Sequence, residues 1–194
     1  MKSAAVAWCV LLLAGSALGA QPPASTVKSP GGGVDPWLAK TTKVQFQMVK
    51  APDAPVQIDV PKKDWIVLPS AGAMVLTLAT HKGDAVVVIE KSALRQALEA
   101  DDITDLFAQI ETDAIKERQP KAAEFQSKVL DSGVRRLVAV QYVRPGVLGT
   151  EKIRQYSIPI GKQLYRITCI SAVGQFASLD PVFSDMAASF VVSE

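Results

Sequence analysis

A predicted β-hairpin near the C-terminus has the sequence Gln155-Tyr156-Ser157-Ile158-Pro159-Ile160-Gly161-Lys162-Gln163-Leu164-Tyr165-Arg166-Ile167-Thr168-Cys169. A two-residue turn at Gly161 and Lys162 pairs Ile160 with Gln163 and so fixes the register of both strands. The two faces then differ in polarity. Tyr156, Ile158, Tyr165, Ile167 and Cys169 share the apolar face, and Gln155, Ser157, Arg166 and Thr168 share the other. The hairpin therefore predicts an antiparallel sheet with one side against a core.

Strand patterns extend outward from this hairpin in both directions. They cover residues 43–49, 56–60, 65–68, 73–80, 85–89, 125–130, 136–143, 152–160 and 163–172. In the first of them, alternation places Val44, Phe46 and Met48 on one face. The segment from His81 to Asp84 predicts the turn of a second hairpin.

Two helices are predicted between and after these strands. The first region begins near Ser92, and Asp101 and Asp102 cap a main helix that runs to Arg118. Its apolar stripe is Ile103, Leu106, Phe107, Ile110 and Ala114, opposite Asp105, Gln109, Glu111 and Lys116. In the second helix, Asp180 is the cap, Pro181 is in the first turn, and Phe183, Met186, Ala187 and Phe190 face the core. The predicted fold class is α+β, with a central antiparallel sheet of about six to seven strands flanked by helices.

The N-terminus has the pattern of a signal peptide over residues 1–20. Lys2 precedes an apolar run, and the small residues of Ser16–Ala20 provide a cleavage site. The apolar run is shorter than the roughly 20 residues that a membrane span requires, so we predict no transmembrane segment in the mature chain. From the signal-peptide pattern we predict that the mature chain is exported to the periplasm or secreted. Residues 21–41, rich in Pro, Gly and Ser, are predicted to form a flexible linker, and residues 42–194 a single domain. Within the linker, we expect Trp37 and Leu38 to dock onto the domain.

Charge and cysteine content limit the function classes. The chain has 21 Lys and Arg against 19 Asp and Glu. Its basic residues are scattered, so the sequence predicts no nucleic-acid-binding face. Loss of Cys9 with the leader leaves Cys169 without a disulfide partner.

No motif for catalysis, metal or cofactor binding is present in the sequence. His81, the one histidine, lies in a predicted turn, and Cys169 belongs to a buried strand face. One histidine and one cysteine cannot supply a zinc site. We therefore predict a protein with no catalytic residue, no metal and no cofactor. The alternative is a small-ligand or lipid carrier, or an enzyme, that uses a pocket between helix and sheet with His81, Cys169 or strand arginines as its polar groups.

Basic residues on successive strands are the candidate binding residues. Arg136, Arg144, Arg154 and Arg166, with Arg135 and Lys152, would form a basic patch for a ligand or protein partner if they converge. The same arrangement of arginines would arise if each one only formed an ion pair with an acidic side chain of the sheet. A second candidate is the apolar pair Val147 and Leu148 at the tip of the predicted loop over residues 145–149, which either forms a contact site or folds back onto the domain.

Short motifs at both ends of the domain resemble those of the PsbP-like superfamily, which includes the DcrB-type bacterial envelope proteins. They are Val56-Gln57-Ile58-Asp59-Val60-Pro61 followed by Trp65, and Leu164-Tyr165-Arg166-Ile167-Thr168-Cys169 followed by Pro181-Val182-Phe183 and Ser189-Phe190. The resemblance covers roughly residues 44–192 and implies a PsbP/Mog-type α/β/α sandwich. It also implies an exported, non-catalytic accessory or binding protein whose partner is a protein or another envelope component. Because the matching residues are core and turn positions, the resemblance implies a fold but does not identify an active site.

Overall fold

A seven-stranded antiparallel sheet is the central layer of the structure, in the order β3-β4-β5-β9-β8-β7-β6. The structure is a computed structural model that describes residues 37–38, 43–132 and 134–193. The predicted signal peptide and most of the predicted linker lie outside the described residues. A second sheet has the order β1-β2-β10. The elements are β1 (Phe46–Lys50), β2 (Val56–Pro61), β3 (Trp65–Leu68), β4 (Met74–Thr80), β5 (Ala85–Ala93), a 3-10 turn (Ala100–Asp102), α1 (Asp105–Arg118), β6 (Ala123–Asp131), β7 (Arg136–Gly146), β8 (Gly149–Ile160), β9 (Gln163–Ala172), α2 (Val173–Ser189) and β10 (Val191–Val192).

The predicted α+β class and the register of the C-terminal hairpin are confirmed. Ile160 lies opposite Gln163 in the β8–β9 pair. Tyr156, Ile167 and Cys169 are fully buried on the face that packs against α2. Alternation of apolar and polar residues therefore predicted which side of the sheet meets the larger core.

Strand β1 is an edge strand, and neither of its faces is fully buried. Of the residues predicted to share one face, Phe46 is partly buried against the core, whereas Val44 and Met48 are 44% and 61% exposed. Val49, on the other face, is also partly buried and lies opposite the buried Ile58 of β2. The alternation of apolar residues therefore does not identify a single covered face of this strand.

Helix α2 begins eight residues earlier than predicted. It follows β9 directly, so Pro181 lies inside the helix and Asp180 is not its cap. Phe176, in the first turn, is 2% exposed and packs against Phe183 with ring centroids 5.7 Å apart. Burial of Phe176 in this contact stabilises the extra helical turns by more than the missing hydrogen bond of Pro181 destabilises them. The predicted burial of Phe183, Met186, Ala187 and Phe190 is confirmed.

Helix α1 begins later than predicted. Strand β5 continues through Ser92 and Ala93, which pair with Leu164 and Gln163. Asp102 does not cap α1, because its carboxylate accepts the Glu99 N–H at 2.8 Å within the 3-10 turn. Thr104 is the N-cap residue of α1 instead.

The predicted apolar stripe of α1 is confirmed in part, since Ile103 is buried and Phe107 packs against the smaller core. Leu106 and Ile110 are 70% and 54% exposed, whereas Glu111, predicted to face solvent, is 4% exposed. The buried side chains are Ala108, Glu111, Thr112 and Ile115. The helix is thus rotated about its axis relative to the prediction, so that a carboxylate points into the protein.

An ion pair with β9 explains this rotation. The Glu111 carboxylate accepts hydrogen bonds from Arg166 Nε and Nη2, both at 2.9 Å, and from Ser157 Oγ at 2.6 Å. Arg166 Nη1 also donates to Ser92 Oγ at 3.1 Å. Burial alone would raise the pKa of Glu111, but the hydrogen bonds and charge of Arg166, with Ser157, outweigh it and hold the pKa below its usual range. The carboxylate therefore stays ionised beneath the helix.

We predict that Glu111→Gln lowers the free energy of unfolding by about 3 kcal/mol at neutral pH, because it leaves the Arg166 guanidinium without its counter-charge. The folded-state pKa of Glu111 is below the ordinary value of 4.5. The stabilisation by the carboxylate is therefore complete above that value and is lost as the pH falls through the folded-state pKa. Urea unfolding of both proteins between neutral and acidic pH measures this loss.

Glu117→Gln is the matched control, since Glu117 lies on the same helix and is exposed. It should change stability by no more than about 0.5 kcal/mol. A stability difference between Glu111→Gln and the wild type that stays constant down to acidic pH would contradict the prediction.

Candidate functional site

The four candidate arginines are divided between two faces of the large sheet. Arg144 and Arg166 lie on the face that α1 partly covers, whereas Arg154 is buried on the α2 face. Arg136 is exposed at the first residue of β7. The structure therefore does not bring all four into one patch, and binding of a ligand or partner by these residues stays a prediction.

Arg154 joins three parts of the fold. Its side chain is 2% exposed, and its two terminal nitrogens donate to the Asp180 carboxylate of α2. Nη2 also donates to Gln141 Oε1 at 2.9 Å. The guanidinium carbon lies 4.4 Å from the ring centroid of Trp37 and 5.5 Å from that of Phe176. Asp180, predicted to be a helix cap, is therefore the ion-pair partner of a buried arginine.

The predicted docking of Trp37 and Leu38 is confirmed. Leu38 is 4% exposed and belongs to the larger core. Tyr156 Oη donates to the Trp37 carbonyl oxygen at 2.9 Å, and Lys128 Nζ lies 4.7 Å from the Trp37 ring centroid. This short segment is thereby held on the α2 face of the sheet.

Arg144 is oriented by the β7–β8 hairpin. Its Nε donates to Glu151 Oε2 at 3.1 Å, and Glu151 also accepts the Leu148 N–H at 3.2 Å. The Glu151 side chain lies so close to Gly146 that a Cβ there would come within 2.2 Å of the carboxylate, so a larger residue at this position would displace Glu151. At the hairpin tip Val147 is fully exposed and Leu148 is partly buried.

A groove of about 260 Å³ lies beside the C-terminal end of α1, and we call it the α1 groove. It forms because α1 packs mainly over β6 and β7, and no other α-helix of the described ranges lies on this sheet face. Its floor includes Val88, Thr168 and Ile170. The other lining residues are Met74, Glu90, Ile115, Arg118, Gln119, Tyr142, Arg144 and Gln155.

Tyr142 lies at the inner side of this groove, 4% exposed, with its ring stacked on Phe125 at 5.5 Å. Burial raises the pKa of Tyr142, which the positive charges of Arg144 and Arg118 partly offset. The hydroxyl is therefore protonated at neutral pH and available as a hydrogen-bond donor.

A larger cavity of about 440 Å³ lies between the β1–β2 turn and the β3–β4 loop. Its lining is mostly loop residues, and its charged side chains are Asp53 and Lys91. The α1 groove instead brings together two guanidiniums, a phenol and a hydroxyl over apolar residues, which is the composition expected of a ligand site. We therefore take the α1 groove as the candidate functional site.

Of the groove residues, sequence reasoning singled out Arg144 as a binding residue and missed Arg118 and Tyr142. Arg118 was predicted to be the last residue of a helix, and that boundary is confirmed. Its approach to β7 depends on the packing of α1, which no local sequence signal describes.

The residues proposed for thiol chemistry are not arranged for it. Cys169 is fully buried in the larger core, and burial raises the pKa of its thiol. His81 is exposed in the β4–β5 turn, as predicted. Among the described residues, no group of three His, Cys, Asp or Glu side chains is placed to hold a metal ion. No helix of the described ranges is long and apolar enough to cross a membrane.

We predict that the Cys169 thiol of the folded protein resists alkylation by iodoacetamide, because the sulfur is enclosed and protonated. Peptide mass spectrometry after alkylation with and without urea measures the modified fraction. Modification at least about 100-fold slower in the native protein is expected from its global stability. Equal rates in both conditions would contradict the enclosed position of this thiol.

Comparisons with known proteins give a match at the level of the fold. No protein-family model matches the sequence, and no curated protein sequence matches it. The structure is similar to the cyanobacterial PsbP (CyanoP) of Synechocystis sp. PCC 6803, with a TM-score of 0.58 and 13% identity, over 86% of this chain and 99% of CyanoP.

Two further solved structures are similar over most of their length. The Ran-binding protein Mog1p of Saccharomyces cerevisiae has a TM-score of 0.53 and 11% identity, over 77% of this chain and 96% of Mog1p. LpqN of Mycobacterium tuberculosis, described as involved in cell envelope biogenesis, has a TM-score of 0.52 and 13% identity, over 79% of this chain and 93% of LpqN. The fold implied by the sequence motifs is therefore confirmed, and this chain has the PsbP-like fold.

Proposed function

We propose that this chain is an exported, non-catalytic accessory protein of the bacterial envelope, which binds a protein or another envelope component through the α1 groove. The observation that carries the proposal is the uncovered part of the large sheet beside α1. There, apolar side chains of β5 and β9 lie next to the guanidiniums of Arg118 and Arg144. An apolar surface with a few convergent polar groups is the usual composition of a binding site.

Export is supported by the signal-peptide pattern of residues 1–20. The fold neighbours support an accessory role, since Mog1p is described as a Ran-binding protein and LpqN as involved in cell envelope biogenesis. At this level of sequence identity, a similar fold does not identify the binding residues, so the support for the groove comes from the residues of this chain.

Binding is favoured over catalysis by the state of the ionisable groups. The thiol that a nucleophilic mechanism would use is enclosed in the core, whereas general acid–base chemistry needs a group with a pKa near the working pH. In the groove, Tyr142 has its pKa raised further from neutrality. These groups are suited to holding a ligand by charge and hydrogen bonds.

Filling the groove should abolish binding while leaving the fold intact. Thr168 is half-buried in the groove floor, so we predict that Thr168→Trp occupies the space a partner would use. Immobilised, processed protein is incubated with envelope extract of the host and cross-linked, and the retained species are quantified. Species retained by the wild type should fall by about tenfold or more, which corresponds to about 1.4 kcal/mol.

Thr150→Trp is the matched control, because Thr150 is exposed in the β7–β8 hairpin and does not line the groove. Thermal unfolding of both variants verifies that they are folded. Equal retention of the same species by wild type, Thr168→Trp and Thr150→Trp would overturn the assignment of binding to the groove.

A further inference from the structure

We propose that the α1 groove binds a small organic anion, whose carboxylate or phosphate contacts Arg118 and Arg144 and whose apolar body lies on Val88 and Ile170. This inference rests on the proposed function, because it names the chemical class of component that the groove holds.

The orientation of the two arginines is the first argument. Arg144 is held through Nε by Glu151, at 3.1 Å, and Arg118 is held through Nε by the Ala114 carbonyl oxygen, at 3.0 Å. Within the described ranges, no hydrogen bond uses a terminal nitrogen of either guanidinium. Both side chains line the groove. Two guanidiniums fixed at one end, with terminal N–H groups available, are suited to bidentate binding of an oxyanion.

The charge of the lining is the second argument. Arg118 and Arg144 are opposed by one carboxylate in the lining, that of Glu90. Glu90 lies opposite Arg166 in the β5–β9 register, but Arg166 is already paired with Glu111. Glu151 is the counter-charge of Arg144, which it contacts through Nε at 3.1 Å, and it also accepts the Leu148 N–H. Within the described residues Arg118 is exposed and has no ion pair, so it supplies the positive charge of the groove while Arg144 supplies further N–H donors.

The size and polarity of the remaining lining indicate how long the ligand is and how apolar its uncharged part is. The volume of about 260 Å³ is slightly below the range of about 300–1,000 Å³ that is usual for drug-sized ligands. Val88 and Ile170 are partly buried in the floor, and Thr168 lies opposite Val88 in the β5–β9 register. The Tyr142 hydroxyl, protonated at neutral pH, adds a donor to an anion. These dimensions favour a short ligand with one charged end.

The test is isothermal titration of the processed protein with four named probes. Hexanoate and phenyl phosphate represent free organic anions, hexanol is the neutral analogue, and phosphatidylcholine vesicles containing phosphatidylglycerol represent a lipid head group. We expect at least one anionic probe to bind at concentrations up to about 10 mM, and hexanol to bind at least about tenfold more weakly. Binding of the vesicles alone would assign the anion to a lipid head group.

Two variants test the arginines separately. Arg118→Gln removes an exposed guanidinium with one backbone hydrogen bond, and Arg144→Lys keeps the charge opposite Glu151 while removing the bidentate donor. Each should weaken binding of the anionic probe by about tenfold. Arg95→Gln, at an exposed residue between β5 and the 3-10 turn that does not line the groove, should leave binding unchanged.

The proposal is overturned if no anionic probe binds, or if binding is the same in Arg118→Gln, Arg144→Lys and the wild type. Its failure is distinguishable from that of the proposed function. If Thr168→Trp loses the envelope component while no anion binds, the ligand class is wrong and the groove assignment stands. If anions bind through the arginines while Thr168→Trp retains the envelope component, the proposed function is wrong and the anion site stands.

Discussion

The ion pair between Arg166 and Glu111 is the constraint from which the arrangement of the α1 face follows. A carboxylate placed beneath a helix is tolerated only when a cation and hydrogen-bond donors surround it, and Arg166 with Ser157 meets that requirement. The helix must therefore present Glu111 to β9, which leaves Leu106 and Ile110 exposed. The same placement brings the last turn of α1, with Arg118, to the edge of the uncovered sheet and so creates one wall of the groove.

The opposite face of the sheet uses a second charged anchor with a different task. Arg154 binds Asp180 of α2 and lies against the ring of Trp37, so one guanidinium holds a helix and an incoming segment on β8. Neither Arg154 nor Arg166 is available for a partner without breaking the pair that holds its helix. Arg154 and Arg166 thus hold the fold, whereas Arg118 and Arg144 line the groove.

The sequence predicted what depends on near neighbours and missed what depends on distant ones. The Gly161–Lys162 turn and the two faces of the hairpin follow from short-range alternation, and they are confirmed. The rotation of α1 depends on a cation 55 residues away, so the apolar periodicity predicted burial of Leu106 and Ile110 and exposure of Glu111, which is the reverse of what is found. The early start of α2 depends on the burial of Phe176 in the core, and the groove depends on residues from the C-terminal end of α1 and from five strands. No local pattern contains that information.

A double-mutant cycle on the two charges tests most directly whether the pair determines how α1 is held. The free energy of unfolding is measured for Glu111→Leu, Arg166→Met and the double variant. Each single variant leaves one charge without its partner and should lose about 3 kcal/mol, whereas the double variant removes both charges and leaves Gln155 and Ser157 to bond each other. We predict that the double variant is at least as stable as either single variant, a coupling of about 3 kcal/mol. Losses that simply add would contradict the account.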